Sequence, residues 1–188
     1  DSSRIDVRLA YARAAIRSRN KTDQARAAAM YESLPADSVK LTATDYTLLG
    51  AQQIDAQQVE VGRANLNKGA AMDSTSAEAR FQLGMMHFKA QHPDSAITEF
   101  RAAIRHDPKK PLYFLNLGVA HLQLKQADKS IPAFRSSIKL DQKLVIGHVL
   151  LGQALVSVDS LAAGQASYEK ALEIDPANGK ALRGIGFI

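Results

Sequence analysis

The sequence predicts an all-α protein built from antiparallel helix pairs stacked in a row, and three observations predict it. Asp73, Asp107, Asp141 and Asp175 recur at intervals of 34 residues. Gly50, Gly84, Gly118, Gly152 and Gly186 keep the same 34-residue period, with Leu49, Leu83, Leu117 and Leu151 before four of them and Ile185 before the fifth. Within each period there are two stretches whose apolar residues fall at three- and four-residue spacing, the pattern of helices with one buried face. A fixed period of this length marks a repeat array, in which no unit buries its apolar face alone and each must stack on its neighbour.

The period that starts near residue 77 shows the unit. Residues 79–90 and 94–105 are the two helical stretches, Gln91, His92 and Pro93 separate them, and Asp107 and Pro108 end the second. Proline disfavours helix in the residue before it, so the Asp-Pro pair stops the helix and turns the chain into the next unit. Small residues recur where two helices must approach: Gly84, Gly118 and Gly152 on the first helix, Ala96, Ser130 and Gly164 on the second. Phe100, Phe134 and Tyr168, four positions after the second set, fill the space beside them.

A helix–turn–helix of 34 residues with Leu-Gly, then Ala-x3-Phe, then Ala and Pro resembles the tetratricopeptide repeat (TPR) family. In that register a single array fills the chain, with repeats at approximately 8–41, 43–76, 77–110, 111–144 and 145–178 and half a repeat at 179–188. Repeats 77–178 fit closely. Repeat 43–76 keeps Tyr46, Leu49, Gly50, Gly62 and Gly69 but places Leu66 in the aromatic slot, and the first repeat keeps Tyr11, Ala14, Ala15, Ala27 and Tyr31. The resemblance implies a right-handed superhelical solenoid whose first helices line a concave side and whose second helices form a convex side. It also implies a non-enzymatic scaffold for protein–protein interaction, with no cofactor.

Family geometry directs repeat positions 2, 5, 9 and 12 into the concave groove. In the first repeat these are Leu9, Ala12, Ile16 and Arg19. In the later repeats they give an apolar set: Phe81, Met85 and Phe88, then Leu112, Leu115, Val119 and Leu122, then Ile146 and Val149. The expected guest is an apolar or amphipathic protein segment, since the Lys, Asn and Arg set that clamps a chaperone-tail carboxylate in some relatives is matched only by Asn116. The same first-helix residues also pack against the next repeat, so each serves either as groove or as core.

A second reading is self-association. Leu182, Ile185, Phe187 and Ile188 lie at the spacing of one helix face in the final half repeat. The chain either belongs to a longer array, or lacks its cap, or stacks head to tail into filaments by covering that face with Ile5, Leu9 and Ile16 of another copy.

The remaining features exclude more than they suggest. The absence of cysteine removes disulfides, thiol nucleophiles and cysteine-ligated metals, and leaves the compartment open. The net charge of +5 is concentrated near the start, where residues 1–26 contribute +4. That is too little, and too poor in interleaved aromatics, for a nucleic-acid binder. No apolar run is long enough for a membrane span. His87 and His121 stand one period apart without carboxylate partners at helical spacing, which favours packed, hydrogen-bonded histidines over a metal pair. Asn20, Lys21 and Thr22 form a glycosylation acceptor triplet, which matters only outside the cell.

Overall fold

The computed structural model describes residues 2–18, 20–35 and 39–188, with side chains from Arg4 onward. All regular elements among them are α-helices, and the chain divides into two compact units, Asp1–Met86 and His87–Ile188.

The first unit contains α1 (Ser2–Ala15), α2 (Lys21–Glu32), α3 (Ala43–Asp55), α4 (Val59–Met72) and, up to Met86, α5 (Ala77–Lys89). Its N-terminal core joins Leu9, Ala12 and Ile16 to Ala27 and Tyr31 of α2, Leu34, and Leu49 of α3. A second cluster joins Leu66 and Ala70 of α4 to Ala79, Leu83 and Met86 of α5. Between α3 and α4 the backbones nearly touch, because Leu66 stands where other repeats carry a ring. A Cβ on Gly50 would lie 2.7 Å from the Gly62 carbonyl oxygen, and one on Gly62 would lie 2.7 Å from that of Gly50.

A buried carboxylate ties the first three helices together. Asp45 is 1% exposed and sits at the third position of α3, where Thr42 caps the helix and both arms of a capping box are made. Its oxygens accept hydrogen bonds from Arg13 Nη2 at 2.7 Å, from Tyr31 Oη at 3.0 Å and from the Thr42 backbone N–H at 2.9 Å. Burial pushes this carboxyl up, but the bonds from Arg13, Thr42 and Tyr31 outweigh it and hold it down at about 2. Burial and the neighbouring carboxylate raise the Tyr31 phenol, keeping it a donor.

The second unit carries α6 (Pro93–His106), α7 (Pro111–Gln123), α8 (Ala127–Leu140), α9 (Val145–Val156), α10 (Leu161–Ile174) and α11 (Gly179–Gly186). Helix starts at 111, 145 and 179 keep the 34-residue beat. Phe134 of α8 is fully buried with Leu115 of α7 and Leu151, Ala154 and Leu155 of α9. A Cβ on Gly118 would lie 2.5 Å from its ring, so only glycine lets α7 come this close. Tyr168 of α10 lies between two glycines in the same way: a Cβ would come within 2.8 Å of its ring from Gly152 of α9 and 2.4 Å from Gly184 of α11.

Two turn devices repeat along the chain. Asp73, Asp107, Asp141 and Asp175 are the C-caps of α4, α6, α8 and α10. In each case the side chain folds over the turn and accepts the backbone N–H two residues on, at 3.0, 3.0, 3.0 and 3.3 Å respectively. That local bond, an Asx turn, is the physical reason for the aspartate period. The turns inside the pairs α3/α4, α5/α6, α7/α8 and α9/α10 use a left-handed residue: Gln57, Gln91, Lys125 and Asp159 have φ of 66°, 60°, 57° and 60°. The N–H that follows each one reaches back five residues, as Gln126 N does to the His121 carbonyl at 2.9 Å.

Three outcomes follow from this packing. Gly118→Leu overpacks against Phe134 and lowers stability by about 1–3 kcal/mol or more, read as the chemical unfolding midpoint; a parental midpoint contradicts the contact. Lys125→Gly removes a left-handed side chain and stabilises the fold by about 1 kcal/mol, which raises that midpoint. Asp45 contributes stability above its unfolded value near 3.8 that is lost as pH falls through about 2. Asp45→Asn is therefore less stable than the parent at neutral pH, by about 2 kcal/mol. The two curves converge as the pH falls from 4 toward 2, and parallel pH–stability curves contradict the pairing.

Candidate functional site

The surface proposed for a guest lies on the first helices, and in the second unit its residues can be placed. Leu112, Leu115, Val119 and Leu122 lie three or four apart on α7 and so share one helix face. Leu112 is 51% exposed, and Val119 and Leu122 are half-buried against the Phe134 cluster. Ile146, one period after Leu112, is half-buried on α9. Phe88 is also half-buried. In the first unit, Phe81 and Met85 are half-buried on α5.

Several of the groove positions are core: Leu9, Ala12 and Ile16 in the first repeat, and two in the later ones. Leu115, 8% exposed, is enclosed by Phe134, Leu151 and Leu155, and Val149, 4% exposed, packs against Tyr168, Ala171 and Ala181. Both occupy the fifth position of their repeat. That position faces the seam with the following helix, so these side chains are consumed by stacking. The two roles left open by the spacing are thus divided along α7: Leu115 is core, while Leu112 stands in water. Asn116 turns back on its own helix, donating from Nδ2 to the Leu112 carbonyl at 2.8 Å.

The end-to-end candidates divide in a similar way. Leu9 and Ile16 are 8% and 4% exposed inside the N-terminal core, and Ile5 packs against the same cluster, so α1 directs this face inward. On α11, Ile185 packs on the Tyr168 cluster, whereas Leu182 and Phe187 are 52% and 88% exposed. Ala181, which the sequence pattern did not single out, is the fully buried anchor of α11.

The polar candidates have local partners. His121 is 3% exposed, and its Nδ1 lies 2.9 Å from Gln126 Oε1. Burial holds its pKa below the usual imidazole value. Asn20 caps α2, its side-chain oxygen accepting the Thr22 N–H at 2.8 Å. Arg19 lies outside the described residues.

Sequence reasoning missed a cleft in the second unit. A cleft of about 710 Å³ lies on the second-helix side, between Arg135, Ile138 and Lys139 of α8, His148 and Leu151 of α9, and Ser167, Lys170 and Ile174 of α10. One signal for it was present: the basic pair Arg135 and Lys139 repeats the pair Arg101 and Arg105 one period earlier.

Among the described residues, no helix is long and apolar enough to cross a membrane. No curated protein sequence matches the chain significantly. Its backbone is similar to several solved structures. The crystal structure of the protein MamA shares 22% identity, covers 94% of this chain and 94% of its own, and superposes with a TM-score of 0.75. YrrB, described as a TPR protein with an unusual peptide-binding site, is 20% identical over 77% of this chain and 75% of its own, with a TM-score of 0.71. The first TPR domain of Spaghetti (RPAP3), solved with the HSP90 peptide SRMEEVD, is 23% identical over 61% of this chain and 91% of its own, with a TM-score of 0.59. Tetratricopeptide repeat models match residues 81–144 and 147–178, together just over half of the sequence. With the 34-residue helix pairs already seen in the structure, these matches identify the chain as a member of the tetratricopeptide repeat family.

Proposed function

We propose that this protein is an interaction scaffold that holds an apolar or amphipathic helix of a partner protein against its first-helix face. The observation that carries the reading is the α7 stripe Leu112, Val119 and Leu122, with Ile146 of α9 packed on the same cluster, which remains partly in water although Leu115 and Val149 are buried. A row of partly exposed apolar side chains on one helix face costs free energy in water, and a guest helix with anchors three and four residues apart relieves that cost. Peptide binding by YrrB and by the Spaghetti domain supports this reading, since both share the backbone architecture.

Head-to-tail assembly is the weaker reading. Its α11 half retains Leu182 and Phe187, but the α1 residues assigned to meet them, Leu9 and Ile16, are enclosed in their own core.

A labelled amphipathic peptide with a leucine stripe and a neutral polar face provides the test. It binds the parent chain, and Leu112→Glu combined with Leu122→Glu weakens binding roughly tenfold or more. Helical content by circular dichroism stays unchanged. Unaltered affinity in that variant removes the first-helix face as the site.

A further inference from the structure

The cleft on the second-helix side has an apolar floor and a basic rim. Leu151 of α9 is 9% exposed, and Ile138 of α8 packs into the Phe134 cluster beneath the opening. Ile174, at the end of α10, is 38% exposed. Arg135 and Lys139 lie one turn apart on α8, are both exposed, and make no ion pair among the described residues. Across the opening, Lys170 is engaged by Glu173 at 2.7 Å. The His148 ring faces the same cleft, with Nε2 3.0 Å from the Gln142 carbonyl oxygen.

We propose that this cleft is a second polypeptide-binding site, which takes a short acidic amphipathic helix. Apolar side chains of the guest rest on Ile138, Leu151 and Ile174, and its carboxylates meet Arg135 and Lys139. Cations four residues apart on a helix lie on one face, so they match two carboxylates one turn apart on a guest helix. The lining carries Arg135, Lys139 and Lys170 against one carboxylate, Glu173, which Lys170 already engages, so the free charge of the rim is positive and favours an acidic guest over a basic one. A small anion would leave the apolar floor unused. The lining holds no Phe, Tyr or Trp, and its one ring, the His148 imidazole, is a poor stacking platform for a nucleic acid.

The test uses the full chain and a short fluorescein-labelled peptide with leucines at one-face spacing and glutamates beside them. Two control peptides carry Gln for every Glu or Ser for every Leu. Fluorescence anisotropy gives affinities, and amide chemical shifts of the isotopically labelled chain give the location. The glutamate peptide is expected to shift amides of α8, α9 and α10 and to bind better than either control. Arg135→Glu combined with Lys139→Glu, and separately Ile174→Asp, weaken binding roughly tenfold or more with the amide spectrum otherwise retained. Leu112→Glu, on the first-helix face, leaves this binding unchanged, so the two sites are separable. The proposal is overturned if the glutamate peptide does not bind, if it leaves the amides of α8, α9 and α10 unshifted, or if charge reversal has no effect. Equally tight binding of the serine peptide also overturns it, because charge alone then accounts for the contact.

Discussion

The repeats of the second unit depend on one steric constraint: the two helices of a pair must approach closely enough that their small residues leave room for one large side chain. Gly118 against Phe134 and Gly152 against Tyr168 are two instances, each with a ring where a Cβ would have to stand. Interiors pack at near-crystalline density, so the ring cannot move aside for an added methyl group without disturbing its neighbours. Phe134 in turn meets Leu151 and Leu155 of the next pair, and Tyr168 supports α11 through Gly184. The contact that closes one pair therefore forms the floor for the next helix, and this is why the spacing of these residues has to be conserved along the chain at a single period.

The first unit meets the same constraint differently. With Leu66 in the aromatic slot, α3 and α4 close until glycine faces carbonyl, and Gly50 and Gly62 replace the ring contact with a backbone one. Polar bonds then supply specificity. Gln53, 2% exposed, donates to Glu32 of α2 at 2.9 Å and accepts from Asn65 of α4 at 2.7 Å. Asp45 draws Arg13, Tyr31 and Thr42 to a single point. Buried polar groups of this kind are costly unless every lone pair is used, and no buried side-chain nitrogen or oxygen among the described residues lacks a partner.

Stacking also decides which apolar residues remain for function. A helix in an array has more than one apolar face, and the next pair takes one of them. On α7 that face carries Leu115; Val119 and Leu122 are left half-buried, and Leu112 is exposed. On the second helices the residues left over are mixed, with Arg135 and Lys139 beside Ile138, so the two sides of the unit offer surfaces of different chemistry.

The sequence by itself determined the period, the pairing of helices and the identity of the close contacts, because these depend on residue size at fixed spacing and size is legible in one dimension. It showed Phe100, Phe134 and Tyr168 as fillers, and all three are buried. It flagged the aspartates without their reason: the Asx turn is a hydrogen bond, visible only once the backbone conformation is known. The left-handed turn residues Gln57, Gln91, Lys125 and Asp159 were silent, since none is a glycine and φ is set by the helix closing behind it. Tertiary structure alone decided that Leu115 and Val149 are core while Leu112 is surface, and that Leu9 and Ile16 face inward. Residues on the same helix stripe have the same spacing and hydrophobicity, and only the position of the neighbouring helix determines which of them keeps its contact with water.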